Sequence, residues 1–302
     1  MNPEKITILD AGMGKTLAMK GIEIPPTIWS ANALLVAPGS VCEVHRENIA
    51  AGAKVITTNS YGVIRSDLAK EGIEDRYQEL NELAGELAKS AVDESGVEVA
   101  IAGSLPPQNG SYRPDLVLDR EVLEPIYTEQ AEMLAPYVDF FLCETMSSIS
   151  EALAAASAAL SVGKPVFVSL TLHDERQRCL RSSEPVVEAL SQLNSLKLAG
   201  ILFNCCLPER ISDAMSLLNS AAVDYRGGYA NAFTHVPQDW LLDGNKQRDG
   251  RLTLREDISP QKYSDFVDDW LAKGANMVGG CCGTTAAHTQ AIAERLCLTE
   301  NS

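Results

Sequence analysis

Short apolar runs alternate along the chain with longer stretches in which apolar residues recur every three or four positions. Runs of the first kind lie at 6–10, 54–59, 97–102, 138–143, 166–172, 199–203, 225–229 and 276–278. They are short, rich in Val, Ile, Leu and Phe, and bounded by glycine or polar residues, which predicts strands. Stretches of the second kind cover 38–52, 75–93, 121–136, 150–160, 184–193, a segment opening at Pro208, 260–272 and 286–296. Within the first of these Val41, Val44, His45 and Ile49 fall on one helical face, and Pro208 suits a first helical turn.

Eight strand patterns alternating with eight helical ones, with no linker between them, predict a parallel sheet closed into a (β/α)₈ TIM barrel. A single domain is expected over 1–302, a length that α/β barrels reach as one unit. A doubly wound open sheet is the alternative, but neither a glycine fingerprint nor a switch point is visible. The chemistry-bearing residues Asp10, Tyr61, Ser104, Glu144, Cys205, Asn231, Cys281 and Cys282 all fall at predicted strand ends. That is the face on which barrel active sites are built. Gly14-Lys15-Thr16 is not a phosphate loop, because Leu9 stands where that motif needs its first glycine. The polar segment 234–259, with Trp240 and Asp243-Gly244-Asn245, has no clear periodicity, and a loop of this length is usually functional or mobile.

Composition narrows the partners. The chain is 45% hydrophobic and 22% charged, as ordinary globular proteins are. A net charge of -16 without any basic run opposes binding to nucleic acid. No run approaches the length of a membrane span, and the N-terminus leads straight into a strand pattern, so a cytoplasmic location is expected. Monomer and homo-oligomer both remain open.

The sharpest chemical feature is Gly279-Gly280-Cys281-Cys282-Gly283, directly after a strand pattern. Adjacent cysteines do not readily join in an unstrained disulfide, and flanking glycines let both sulfurs turn into one cleft, which favours a metal. Two thiolates leave zinc short of ligands, and the pair Cys205-Cys206, ending another apolar run, offers a third. The competing reading is that vicinal cysteines are small buried hydrophobes. The remaining four cysteines, Cys42, Cys143, Cys179 and Cys297, stand alone and read as core or surface residues.

Taken together, Leu9-Asp10-Ala11-Gly12-Met13-Gly14, Trp29-Ser30-Ala31, His45 with Ala51-Gly52-Ala53, Thr57 to Tyr61, Gly103 to Pro107, Glu144-Thr145, Asn204-Cys205 and Gly279 to Gly283 resemble the homocysteine S-methyltransferase family of zinc-dependent barrels. The resemblance spans nearly the whole chain. It implies that Cys205, Cys281 and Cys282 bind Zn²⁺, with Cys206 an adjacent extra. It also implies that the substrates are homocysteine and a small cationic methyl donor. Three thiolates leave one position for a substrate sulfur, as in catalytic rather than closed structural sites. Zinc then deprotonates that thiol, so no dedicated base is required. Asp10 and Glu144 suit the ammonium of homocysteine, the Ala11 and Gly12 amides its carboxylate, and Asn204 belongs with the substrate-binding residues. Trp29 and Tyr61 are the expected aromatic faces for the donor cation. Ala11 departs from the second glycine common in the family, and Lys15 from a common threonine.

The short sequence after 296 tilts the expected donor toward a sulfonium, S-methylmethionine or S-adenosylmethionine, with betaine or dimethylsulfoniopropionate as alternatives. A zinc hydrolase fits poorly, since such sites prefer histidines and carboxylates and the four histidines here are scattered. A thiol redox sensor is the reading from another class, but a sensor needs no acids or aromatics around its thiols.

Overall fold

The computed structural model describes residues 1–2, 4–238, 240 and 252–300. Eight strands form one parallel sheet: β1 (Thr7–Ile8), β2 (Val55–Thr57), β3 (Ala100–Leu105), β4 (Phe140–Met146), β5 (Val166–Leu170), β6 (Gly200–Asn204), β7 (Tyr225–Ala230) and β8 (Met277–Gly280). From β2 to β8 each strand pairs with its sequence neighbour, and β1 pairs with β8. Leu9 bridges to Val55 in parallel, and Lys54 N donates to Ile8 O at 2.7 Å, which brings β1 to β2 and closes the ring. The fold is the (β/α)₈ barrel that the alternation predicts.

The helices are α1 (Met13–Met19), α2 (Asn32–Val36), α3 (Pro38–Ala50), α4 (Arg65–Leu68), α5 (Tyr77–Ser95), α6 (Arg120–Leu134), α7 (Ile149–Ser161), α8 (Val186–Leu193), α9 (Pro208–Ala214), α10 (Pro260–Ala272) and α11 (Ala286–Glu300). All eight predicted helical stretches are present. Three short ones are additions: α1, α2 and α4 are too brief for a 3.6-residue period to show in the sequence. Residues 11 and 12 therefore lead directly from the end of β1 into the first helical turn of α1.

Side chains alternate across each strand, and this period of two places the site. Along β4, Phe140 and Leu142 belong to the cluster inside the barrel, with Leu9, Phe167, Leu202, Tyr225 and Tyr229. Phe141 and Cys143 belong to the cluster between sheet and helices. Continuing the inward set by two residues brings Glu144 to the barrel mouth. The same step on β3 runs from Ala102 to Ser104, and on β6 from Leu202 to Asn204. Ser104 and Glu144 thus lie inside β3 and β4 rather than past their ends, because these strands begin and finish later than the apolar runs suggest. Asp10, Tyr61, Cys205, Asn231, Cys281 and Cys282 do follow their strands.

His45, on α3, is fully buried, has no hydrogen-bond partner on either ring nitrogen, and is pushed by burial down to about 4. It is a neutral packing residue. In the segment after β7, Phe233 bridges to Leu254 and Thr234 N donates to Thr253 O at 2.8 Å, so its described ends are tied together. Asp243, Gly244 and Asn245 lie outside the described residues. Among the described residues no helix is long and apolar enough to cross a membrane.

Candidate active site

A cavity of about 540 Å³ opens at the C-terminal mouth of the barrel. Asp10, Gly12, Trp29, Tyr61, Glu144, Cys205, Cys281 and Cys282 all line it, together with Tyr112, Tyr229, Phe233 and Trp240. Such a volume suits small-molecule substrates.

The three sulfurs meet at its floor. Cys205 Sγ lies 3.0 Å from Cys281 Sγ and 3.6 Å from Cys282 Sγ, and the three sulfurs all lie within 4.8 Å of one another. Ligation at about 2.3 Å with tetrahedral angles would place sulfurs ~3.8 Å apart, so these side chains fit a metal of zinc's size. Their backbones explain the convergence. Cys205 leaves β6 in the left-handed region at φ 50, a strained setting for a residue with a Cβ. Gly12 packs against the other strand end so closely that a Cβ there would fall 2.5 Å from Cys281 O. Only glycine permits that approach. Thr284 Oγ1 donates to Cys281 O at 2.6 Å and accepts from Gly12 N at 3.3 Å, fixing the turn after β8. Contacts from Cys205 and then Cys281 draw the Cys282 thiol well below the ordinary thiol range. Cys206 is buried in the cluster outside the barrel and is not in the metal-capable group.

Two carboxyl groups face the same cavity. Asp10 accepts from Thr57 N at 2.8 Å and from Thr57 Oγ1 at 3.1 Å. Glu144 accepts from Ser104 Oγ at 2.5 Å and from Tyr229 OH at 3.1 Å. Burial raises each to about 7, the Thr57 bonds restraining Asp10 and the Ser104 bond restraining Glu144. Two acids facing one cavity, each with oxygens fixed by hydrogen bonds, are chemically suited to a cationic group.

Aromatic rings form the wall above the sulfurs. Tyr112, Phe233 and Trp240 cluster with Cys205, and Trp29 packs on the same group. Trp240 meets Trp29 edge-on at 6.0 Å and Tyr112 edge-on at 5.3 Å. Tyr61 OH shares a 2.7 Å hydrogen bond with Ser111 Oγ.

Three expected contacts take a different form. Ala11 N donates to Asn48 Oδ1 at 3.0 Å and Gly12 N to Thr284 Oγ1, so both amides already have protein partners. Asn204, fully buried, accepts from Thr145 N at 2.9 Å and donates to Thr145 Oγ1 at 2.8 Å. It fastens the end of β4 to β6, where Thr145 adopts φ 63 beside Glu144. Thr57, Ser104, Tyr112, Tyr229 and Thr284 carry the site without having been singled out for these roles. The inward alternation, on even positions in β3 and odd positions in β7, was a usable signal for Ser104 and Tyr229, whereas nothing in the sequence marks Tyr112 or Thr284.

Comparison with known proteins agrees with this geometry. The sequence model of a family described as homocysteine S-methyltransferase matches residues 7–296. Homocysteine S-methyltransferase of Escherichia coli (strain K12) is 25% identical, over 98% of this chain and 96% of its own length. The crystal structure of the homocysteine methyltransferase MmuM from Escherichia coli, in its metallated form, superposes with a TM-score of 0.80 at 25% identity, covering 96% of both chains. A type I 3-dehydroquinate dehydratase from Clostridium difficile, 10% identical with a TM-score of 0.52 over 99% of this chain and 93% of its own, shares the fold alone.

Proposed function

The chain belongs to the homocysteine S-methyltransferase family, and from that premise we propose that it uses zinc to transfer a methyl group from a sulfonium donor to homocysteine, forming methionine. The observation that carries the proposal is the convergence of three thiols, two buried acids and an aromatic wall on one cavity at the barrel mouth.

Cys205, Cys281 and Cys282 hold the metal. When bound, zinc supplies a deprotonated substrate thiol at neutral pH. Everything else is done by side chains. Asp10 and Glu144 receive the ammonium of homocysteine, with Thr57, Ser104 and Tyr229 orienting their oxygens. Asn204 keeps the strained Thr145 irregularity near the end of β4, and with it Glu144, in register with Cys205. Gly12 gives the turn after β1 clearance over Cys281, and Ala11, tied to Asn48, sets the approach of the same turn. Trp29 and Tyr61, with Trp240, present ring faces and edges to the donor cation and exclude water, which strengthens cation–π attraction. The methyl carbon then bonds to the homocysteine sulfur while the donor sulfur keeps the electron pair and leaves as a neutral thioether. Alignment of the two sulfurs across the methyl supplies much of the rate.

Among donors the rim favours an amino acid. Exposed Lys15 and Glu23 both border the cavity. That pair of opposite charges complements the carboxylate and ammonium of S-methylmethionine, whereas betaine and dimethylsulfoniopropionate offer only a carboxylate. A redox sensor would have no use for the paired acids. Turnover of zinc-loaded protein with homocysteine and each of S-methylmethionine, S-adenosylmethionine, betaine and dimethylsulfoniopropionate is expected to rank S-methylmethionine first. Methionine formation with none of the four would defeat the proposed activity, and a preference for betaine would defeat the donor assignment.

A further inference from the structure

Three metal-binding thiolates standing beside a methyl donor pose a chemical problem, because each is a sulfur nucleophile competing with that of homocysteine. Among the described residues, Cys205 is the one of the three whose sulfur has a side-chain hydrogen-bond partner outside the three cysteines. Tyr112 OH donates to Cys205 Sγ at 2.8 Å inside the buried aromatic cluster. Considerable structure is devoted to this one contact. Tyr112 is buried and sits at φ 62, a backbone setting that a bulky side chain rarely takes without compensation.

The compensation comes from two other loops. Arg181 Nε donates to Tyr112 O at 3.4 Å, and its guanidinium lies 5.8 Å from the centre of the tyrosine ring. Arg181 is in turn held by Val236 O at 2.7 Å, Pro237 O at 2.5 Å and the buried Asp174 carboxylate at 3.7 Å. Asp174 also accepts from Leu207 N at 3.2 Å and Val236 N at 2.9 Å, reaching the loops after β6 and β7. Trp240 closes the ring from the cavity side. The phenol is therefore clamped by the loops after β3, β5 and β7, with its hydroxyl aimed at one sulfur.

From this arrangement we infer that Tyr112 is a positioning residue for methyl transfer: its hydrogen bond holds Cys205 as a poor nucleophile and a firm ligand, removing one of the protein sulfurs that compete with homocysteine for the methyl group. The inference rests on the zinc site proposed above. A hydrogen bond to a thiolate withdraws electron density from sulfur, and partners outside a metal's ligand shell orient the ligands and tune their basicity.

The test compares wild-type and Tyr112→Phe protein, both loaded with zinc, using iodoacetamide as the alkylating probe and mapping each cysteine by peptide mass spectrometry. Alkylation joins the cysteine sulfur to the acetamide carbon and releases iodide. Cys205 alkylation is expected to rise about tenfold in Tyr112→Phe while Cys281 and Cys282 change less than about twofold, and zinc loss to a chelator is expected to quicken about tenfold. An equal rise at all three cysteines, or none at Cys205, would overturn the inference. Site-specific 3-fluorotyrosine in place of Tyr112 keeps the ring and makes its hydroxyl a stronger donor. It is expected to slow Cys205 alkylation, and an unchanged rate would likewise overturn the inference, even if Tyr112→Phe fails to fold. Wild-type protein that binds no zinc or makes no methionine would instead defeat the proposed function, so the two failures are distinguishable.

Discussion

Cys281→Ser protein is expected to purify without zinc and to form methionine more slowly by over 100-fold. The hydroxyl replacing the thiol ionises too weakly to act as a ligand, and the two remaining sulfurs leave the metal under-coordinated. Even partners outside the ligand shell cost roughly 10–100-fold in affinity or activity when removed, so loss of a ligand should exceed that range. The fold should survive. Cys281 is only partly buried at the cavity floor, and its amide still donates to Ala230 O at 2.9 Å. Zinc content by elemental analysis, turnover and a thermal melt check the three statements separately. Full turnover by zinc-free protein would contradict the account.

Glu144→Gln should act on homocysteine and spare the donor. The substitution is nearly isosteric, but it removes a charge and presents an NH₂ where Ser104 Oγ and Tyr229 OH both donate to the carboxylate. Removing one partner of a buried, hydrogen-bonded charge pair costs about 2–5 kcal/mol, or roughly 30- to 4000-fold. That loss is expected in KM for homocysteine, with KM for the methyl donor little changed. The pH dependence separates charge from shape. Because the Glu144 carboxyl is raised to about 7 by burial, it is protonated below that pH and must release its proton to pair with an ammonium. Binding therefore strengthens as pH rises toward 7 and levels off above it. Methionine, which has no thiol to ionise, isolates this effect in calorimetric titrations. The slope is expected to shrink in Glu144→Gln, and Asp10, also raised to about 7, retains the remainder.

How much of this was legible in the sequence depended on whether the signal was local. The strand and helix periods are local, and they gave the barrel, its order and the positions of the cysteines at the ends of β6 and β8. Resemblance then selected Cys205 over Cys206, and the structure supplies a physical reason: Cys205 turns inward at φ 50 whereas Cys206 packs outside the barrel. Polar residues inside a strand were harder. Ser104 and Glu144 looked like loop residues because polarity usually ends an apolar run, yet both continue the inward alternation into the mouth. Partnerships between distant positions left no trace at all. Tyr112 with Cys205, Thr57 with Asp10 and Thr284 with Gly12 join residues that only closure of the barrel brings together. Asn204 shows another case: it was expected among the substrate-binding residues, but both ends of its amide serve Thr145.

The central claim is that the three cysteines keep one metal position for the substrate's own sulfur, and zinc-edge X-ray absorption with selenohomocysteine addresses it directly. Zinc-loaded protein alone is expected to show a shell of three sulfurs at about 2.3 Å. Addition of selenohomocysteine should introduce one zinc–selenium distance while the three sulfurs remain. A protein that methylates selenohomocysteine yet shows no selenium in the zinc shell would contradict the account.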